Sequence, residues 1–507
     1  MCIAQFPALG DACVRDEPKA ADIGSLVTGR ANVLIVPNLE AGNMLAKELS
    51  FVARAEAEGP ALGAKAPVML TSRADNDRAQ LASCAGAALR VLSSRRPDLR
   101  QRAESRRGRG VSHLNPVVLT LNAGSSSLKF AAFAVGQGDL KQLASGQIEG
   151  IGATAKGVVK DATGQPTKIT LPQGRVDHHA AVRAILGWLK QAGYDSSIAA
   201  VGHRVVHGGP DLVEPMLIDE SVIARLKRLI PLAPLHEPHN IAGIEAAMKA
   251  FPSTPQVACF DTAFHRSHPF VDDTFALPRS YYDEGVRRYG FHGLSYEFIT
   301  RKLRKMAPQI AREDVIIAHL GNGASMCAVH DGRAVASTMG FTALDGLPMG
   351  TRCGQLDPGV VLYLMAEKKM NADAISDLLW KNSGLKGMSG VSQDMRELEA
   401  SDSPAARDAI AYFVSRVRRE LAGLAATVDG AEAIVFTAGI GEHAWKVREA
   451  VLNGMEWMGI HLDAEANRAN AQIISADHSP TTVFVIPTDE ERMIAEHTMR
   501  TAGVGDQ

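Results

Sequence analysis

Apolar residues along this chain fall into two alternating kinds of run. Short β-branched runs such as Val117-Val118-Leu119-Thr120-Leu121, Val315-Ile316-Ile317-Ala318 and Ile434-Val435-Phe436 are apolar at nearly every position, as in strands buried on both faces. Amphipathic helical stretches separate them, so from Pro116 onward the order predicts an α/β protein. Residues 31–92 read as two strand-helix units, Val33-Leu34-Ile35-Val36 with a helix from near Met44, and Val68-Met69-Leu70 with an Ala-rich helix from near Asp75. That is half a sheet at best.

An internal echo organises the remainder. Val117 to Leu121 runs into Asn122-Ala123-Gly124-Ser125-Ser126-Ser127, and Val315 to Leu320 runs into Gly321-Asn322-Gly323-Ala324-Ser325. Each predicts a buried strand, a tight turn and a returning strand (Lys129 to Ala134; Met326 to His330), hence two duplicated halves. A third strand, Ile434 to Thr437, ends in Ala438-Gly439-Ile440-Gly441-Glu442-His443 before a helical pattern. Strand-terminal glycine turns bring backbone N–H groups close to phosphate oxygens, while Lys129 adds an ammonium. The GxxxxGK[ST] spacing is absent, so this is not a Walker loop. Taken singly, each element is more often a plain β-turn.

Composition narrows the function class. The 507 residues carry a formal charge of −2, with 46% hydrophobic and 22% charged residues, which gives no basic excess to attract nucleic acid. Between Ser93 and His113 seven arginines face only Asp98 and Glu104, with no aromatic residue, which predicts a disordered linker rather than an RNA-binding segment. The six cysteines are far apart and form no CxxC pair, and no stretch approaches roughly 18 uncharged apolar residues. A cytoplasmic protein with no membrane partner is expected. His203 and His207 are four apart but lack the glutamate of HExxH, and the pairs His236/His239 and His265/His268 are equally poor zinc sites.

Further polar motifs follow in order: Gly202-His203-Arg204-Val205-Val206-His207-Gly208-Gly209, Phe260-Asp261-Thr262-Ala263-Phe264-His265, Tyr289-Gly290-Phe291-His292-Gly293, Met349-Gly350-Thr351-Arg352, Asp394-Met395-Arg396 and Pro487-Thr488-Asp489-Glu490-Glu491. With the glycine turns, this ordered set resembles the signature of the acetate kinase family from Pro116 to about Ala502. The resemblance implies a duplicated actin, hexokinase and Hsp70-like (ribonuclease H-like) ATPase fold, with two domains and a cleft. Domain I would be residues 114–262 with 491–507, and domain II residues 263–490. Before them would lie a disordered terminus (1–19), the partial α/β segment (20–92) and the linker (93–113).

The same resemblance implies ATP-dependent phosphorylation of acetate, with Mg²⁺, or alternatively Mn²⁺, held by Asn122 and Glu490. ATP would lie on Lys129, on His319, Leu320, Gly321, Asn322 and Gly323, on Asp394, Met395 and Arg396, and on Gly439, Ile440, Gly441, Glu442 and His443. Arg204 would bind the substrate, and Val206, Leu235 and Phe291 would enclose its methyl group. His292 and Arg352 would stabilise the transition state, and Asp261 would be the catalytic carboxylate. A carboxylate substrate with a pKa of about 4 to 5 is already ionised at pH 7, so Asp261 is expected to orient Mg²⁺ through water or align Arg204 rather than remove a proton. Without the resemblance, Arg204, Arg352 and Arg396 read equally well as structural salt-bridge partners. The helix around Leu362 to Met365 and the four tryptophans read as core or interface. A homodimer is the family expectation.

Tyr296 stands where many members have a second histidine, Glu237 where Asn is usual, and Ala343 and Asp345 where Pro and Glu are common. Ala343 would enlarge the substrate pocket, which keeps propionate or another short-chain acid open. An Hsp70-like binding module is disfavoured because no substrate-binding domain follows the ATPase. At the front, Gly29 to Lys47 and Leu70-Thr71-Ser72-Arg73-Ala74-Asp75 are similar to the C-terminal end of phosphate acetyl/butyryltransferases. That fragment is expected to be inactive alone, and its pairing with a kinase suggests a functional link to, or docking element for, phosphate acetyltransferase.

Overall fold

A computed structural model of the protein describes residues 115–124, 126–136 and 139–505, together with four short strands before them. The chain divides into two units, Met1–His113 and Leu114–Gln507. In the first, Ile3–Gln5 pairs in parallel with Val33–Ile35, and Pro60–Ala61 pairs antiparallel with Val68–Met69. The strands expected at Val33 and Val68 are thus present. The expected helices from Met44 and Asp75, the N-terminal tail and the Arg-rich linker lie outside the described residues.

The larger unit is built on two sheets. Its strands are β1 Val117–Ala123, β2 Ser127–Val135, β3 Leu140–Glu149, β4 Lys156–Asp161, β5 Pro166–Lys168, β6 Ile198–Val205, β7 Met216–Leu217, β8 Gln256–Phe260, β9 Asp314–Leu320, β10 Ala324–His330, β11 Arg333–Ser337, β12 Ala433–Thr437 and β13 Thr482–Val485. The first sheet has the order β7-β8-β6-β1-β2-β3-β4-β5, and the second β11-β10-β9-β12-β13. Stripped of its edge additions β4, β5 and β7, the first reads β3-β2-β1-β6-β8, which is the second sheet's order. The pairing repeats as well: β1 and β9 each open an antiparallel hairpin, and each lies parallel to the strand on its other side. The echo seen in the sequence is therefore a duplication of topology.

The consecutive apolar positions have a direct cause. Along β9, Ile316, Ala318 and Leu320 enter one core with Phe413, Val417 and Leu421 of the helix Pro404–Thr427. Val315 and Ile317 face the opposite side, against Tyr296, Ile299 and Leu303 of the helix Gly293–Met306. A strand alternates its side chains across the sheet, so a strand covered on both faces must be apolar throughout. β1 is sandwiched likewise, with Leu119 and Leu121 against the helix His178–Gln191 and Val118 against Ala495 of the C-terminal helix Glu490–Thr501. That last helix approaches β6 so closely that a Cβ on Gly202 would lie 2.1 Å from Thr498 Oγ1. Among the described residues no helix is long and apolar enough to cross a membrane.

Candidate active site

In open α/β sheets the carboxyl ends of parallel strands are where ligands are bound. Asn122 closes β1, Arg204 closes β6, Asp261 follows β8, His319 closes β9, Gly439 follows β12 and Glu490 follows β13. Lys129 is exposed and paired in register with Asn122, so the two side chains share one face of the first hairpin.

Arg204 gathers the first group. Its Nη1 donates to Asn122 Oδ1 at 3.3 Å, its Nη2 pairs with Asp261 Oδ2, and its Nε lies 3.9 Å from Glu490 Oε2. Burial opposes the charge on Arg204, but the Asp261 and Glu490 carboxylates outweigh it and hold the guanidinium protonated. Burial raises the Asp261 carboxyl above the ordinary range, against the pull of Arg204. Asp261 Oδ1 and Arg204 Nε are buried and have no hydrogen-bond partner among the described residues, so both keep unused capacity. The amide oxygen of Asn122, the free oxygen of Asp261 and the Glu490 carboxylate are all hard oxygen donors, which fits Mg²⁺. No group of three metal-binding His, Cys, Asp or Glu occurs among the described residues. Mg²⁺ commonly keeps several waters and leans on one or two carboxylates plus nucleotide phosphates, so the smaller donor set suffices.

The second group centres on His292. This residue has φ 57°, a left-handed conformation that a non-glycine adopts at some cost, and it caps the helix Gly293–Met306. The chain is strapped there by Gly293 N donating to Asp261 O at 2.9 Å, and a Cβ on Gly293 would lie 2.2 Å from that oxygen, so only glycine fits. His265 Nε2 lies 2.8 Å from Phe291 O and holds the preceding residue. The His292 ring stacks on His319 with centroids 4.2 Å apart. Burial, then His319, Arg204 and Arg352, hold His292 well below its ordinary pKa, so it is neutral. His319 is pushed down to about 4, first by burial and then by Arg204.

Arg352 completes the group. Burial, then Arg204, brings it down to about 10, so it remains a cation at neutral pH. Its Nη1 donates to Ala343 O at 3.0 Å, and its guanidinium lies 5.2 Å from the Trp380 ring centre. Among the described residues no carboxylate lies within ion-pair distance of it, which removes the salt-bridge reading for Arg352. Arg204 does have such partners, and Arg396 is an exposed side chain bound to Asp394. A Cβ on Gly323 would lie 3.3 Å from His292 Nε2 and 4.0 Å from Arg352 Nη1. A neutral imidazole and an unpaired guanidinium thus converge on the bare backbone of the second hairpin.

The remaining predicted residues occupy different settings. Val206 and Phe291 belong to one apolar cluster with Ala343, and Leu235 is half-buried on the loop before His236, whose ring lies 5.6 Å from Trp380. Leu320 is buried, while Gly321 and Asn322 turn the hairpin, with Gly321 N donating to Gly323 O at 3.1 Å. Gly439 is the second residue of the helix Ala438–His443, with open space where a side chain would be, and His443 is exposed. Ile440 is half-buried, Gly441 is buried, and Glu442 Oε1 accepts from Thr488 N at 3.3 Å. Met395 is in the core, so its side chain is not available to a nucleotide.

Four further side chains at these groups were not among the expected site residues. Ser325 Oγ lies 2.8 Å from His292 Nδ1, and Tyr296 meets the same hydroxyl. Trp380, read only as core or interface, underlies Arg352. Arg448 is wholly buried and donates to Gly441 O and Asn467 O, both at 2.8 Å, pinning the third glycine turn. The aromatic residue four positions after His292 was a readable signal; the partners of Arg448 were not.

Comparison with known proteins identifies the family. Residues 117–496 match the model of the Acetokinase family, and residues 10–88 that of Phosphate acetyl/butaryl transferase. The chain is 60% identical over 391 residues to the acetate kinase of Methylocella silvestris, covering 75% of this chain and 97% of that protein. It is 53% identical over 385 residues to the acetate kinase of Nitrobacter hamburgensis, covering 75% and 95%. Among solved structures, Porphyromonas gingivalis acetate kinase is similar at 38% identity and TM-score 0.70, covering 76% of this chain and 99% of that one. A propionate kinase from Francisella tularensis is similar at 35% identity and TM-score 0.72, with the same coverage. With the duplicated sheets, the convergent site and a family match over most of its length, the chain belongs to the acetokinase family.

Proposed function

We propose that the protein is an acetate kinase that transfers the γ-phosphoryl group of ATP to the carboxylate of acetate, giving acetyl phosphate and ADP. The observation that carries this reading is Arg352, a buried cation with no carboxylate partner among the described residues, converging with His292 Nε2 above Gly323. Such a pair suits an anion that is present only during reaction.

Phosphoryl transfer spreads charge over the equatorial oxygens, so catalysis rests on positioning and electrostatics. Arg204 orients the acetate carboxylate, and the cluster of Val206 and Phe291 with Leu235 receives its methyl group. One carboxylate oxygen attacks the γ-phosphorus in line while the bond to the β-bridging oxygen breaks, and ADP departs with that electron pair. No proton need move, since the carboxylate is already ionised. Arg352 and His292 donate to the oxygens in flight. Asp261 aligns Arg204 through their ion pair. Asn122 and Glu490 would hold Mg²⁺, which when bound neutralises phosphate charge. The glycine turns at Gly321–Gly323 and Gly439–Gly441, with Lys129, flank the nucleotide, and Asp394 to Arg396 form its outer rim.

Longer acids are a matter of pocket volume, and Ala343, a small residue clustered with Val206 and Phe291, supports propionate as a second substrate. A cytoplasmic homodimer is also proposed. The apolar helix Pro358–Ala366 has no buried residue, with Leu362 65% and Met365 51% exposed, and a second copy of this chain would cover it. Light scattering should show a dimer that Leu362→Glu converts to a monomer; a wild-type monomer rejects this. The match over residues 10–88 supports a link to a reaction that makes or consumes acyl phosphate. The test of function is to incubate enzyme, ATP, Mg²⁺ and acetate with hydroxylamine. Arg352→Ala should lose most hydroxamate formation while remaining folded, and near wild-type formation would refute the assignment.

A further inference from the structure

His292 Nδ1 lies 2.8 Å from Ser325 Oγ, which in turn lies 2.5 Å from the Tyr296 hydroxyl. Ser325 and Tyr296 are fully buried. Tyr296 stands four residues after His292 on the helix that His292 caps, so the helix returns its hydroxyl toward the ring. Ser325 lies on β10, two residues beyond Gly323, the position on which His292 Nε2 and Arg352 converge.

A neutral imidazole carries one ring proton, and its place follows from the network around it. The ring is neutral because it is buried, stacked on His319 and set near two guanidinium groups, Arg204 and Arg352. Three arrangements use every contact. In the first, Tyr296 donates to Ser325, Ser325 donates to Nδ1, and the ring proton resides on Nε2. In the second, Nδ1–H donates to Ser325, Ser325 donates to the Tyr296 oxygen, and the Tyr296 proton is stranded. In the third, Nδ1–H and Tyr296 both donate to Ser325, and the Ser325 proton is stranded. Among the described residues Ser325 Oγ is the only hydrogen-bond partner of the Tyr296 hydroxyl, and Ser325 Oγ has no partner besides His292 and Tyr296. A stranded buried donor disfavours the second and third arrangements by roughly tenfold or more.

We propose that Ser325 and Tyr296 are positioning residues that hold His292 as the Nε2–H tautomer, so that the ring donates to the phosphoryl oxygen in flight. An unprotonated nitrogen at that place would oppose the oxyanion. The inference rests on the function proposed above only for what the donated proton does; the tautomer itself is a property of the free protein.

The test uses the full chain with ¹⁵N-labelled histidine, free of substrates, with the His292 signals assigned by their loss in His292→Gln. Long-range ¹H–¹⁵N spectra should show Nε2 protonated and Nδ1 bare. A proton on Nδ1, or on both nitrogens at neutral pH, overturns the proposal. In Ser325→Ala the tautomers should mix and kcat should fall about tenfold or more, with the KM for acetate and ATP changing by less than about threefold. Ser325→Thr, which keeps the hydroxyl, should recover most of kcat. A folded Ser325→Ala with unchanged kcat overturns the positioning role. Tyr296→Phe should reduce kcat less than Ser325→Ala, and the reverse order also contradicts the proposal. Because the tautomer is read without turnover, failure of the acetate kinase reading and failure of this inference give different results.

Discussion

Glu237 is a wholly buried carboxyl group at the start of the helix Glu237–Ala250, and neither of its oxygens has a hydrogen-bond partner among the described residues. Burial pushes its pKa from 4.5 up to about 8, against a weaker opposing contact from the His207 backbone. The folded protein therefore keeps this proton across a range in which the unfolded chain releases it. A raised carboxyl pKa leaves stability intact below pH 4.5, and stability is then lost progressively as pH rises toward 8. At about 1.36 kcal/mol per pH unit, the loss between pH 5 and pH 8 is on the order of 3 kcal/mol. Replacement by glutamine removes the titration while preserving size. For a unit of about 400 residues the unfolding entropy is roughly 0.8 kcal/mol/K, so the Tm of Glu237→Gln minus that of the wild type should grow by about 4 °C over this range. Differential scanning fluorimetry of both proteins at several pH values measures it. Parallel curves would contradict this prediction, because they would mean that Glu237 ionises alike in both states.

Arg204 and Arg352 should separate kinetically: Arg204→Ala should raise the acetate KM and lower kcat, whereas Arg352→Ala should lower kcat by roughly 10²-fold with a smaller KM effect. Lysine at either position should recover only part of the loss, since an ammonium lacks the planar fork; full recovery in steady-state assays would contradict the roles. Gly202→Ala should lower stability by about 1–3 kcal/mol in denaturant titration, since its Cβ would collide with Thr498 and Ile494 of the C-terminal helix; an unchanged midpoint would show that this helix can shift freely. A chain starting at Leu114, where the larger unit begins, should keep its kcat and Tm; a large fall in either would show that residues 1–113 support the kinase.

The duplicated sheets were legible because a strand buried on both faces is apolar at every position, and Val117 to Leu121 and Val315 to Leu320 carry that pattern into the same tight turn. The edge strands Lys156–Asp161 and Pro166–Lys168 gave no such signal, since they are largely exposed and polar. Candidate site residues were legible where a glycine or a charge interrupts an apolar strand end. Residues acting through packing were not: Arg448 finds Asn467 and Gly441 only after folding, and Ser325 reads as one more hairpin serine until Tyr296 and His292 close on it. Leu362 to Met365 show the converse, since their apolar pattern reads as core or interface and the structure leaves Leu362, Tyr363 and Met365 exposed.

In the proposed mechanism the buried cations at this cleft serve direct phosphoryl transfer to a carboxylate. Incubation of the purified protein with ATP, Mg²⁺, acetate and hydroxylamine tests it in one measurement, by comparing ADP released with acetyl hydroxamate formed. Equal amounts of the two, both dependent on acetate, are expected. ADP release without hydroxamate would contradict the account, because it would show that water, not a bound carboxylate, receives the phosphoryl group.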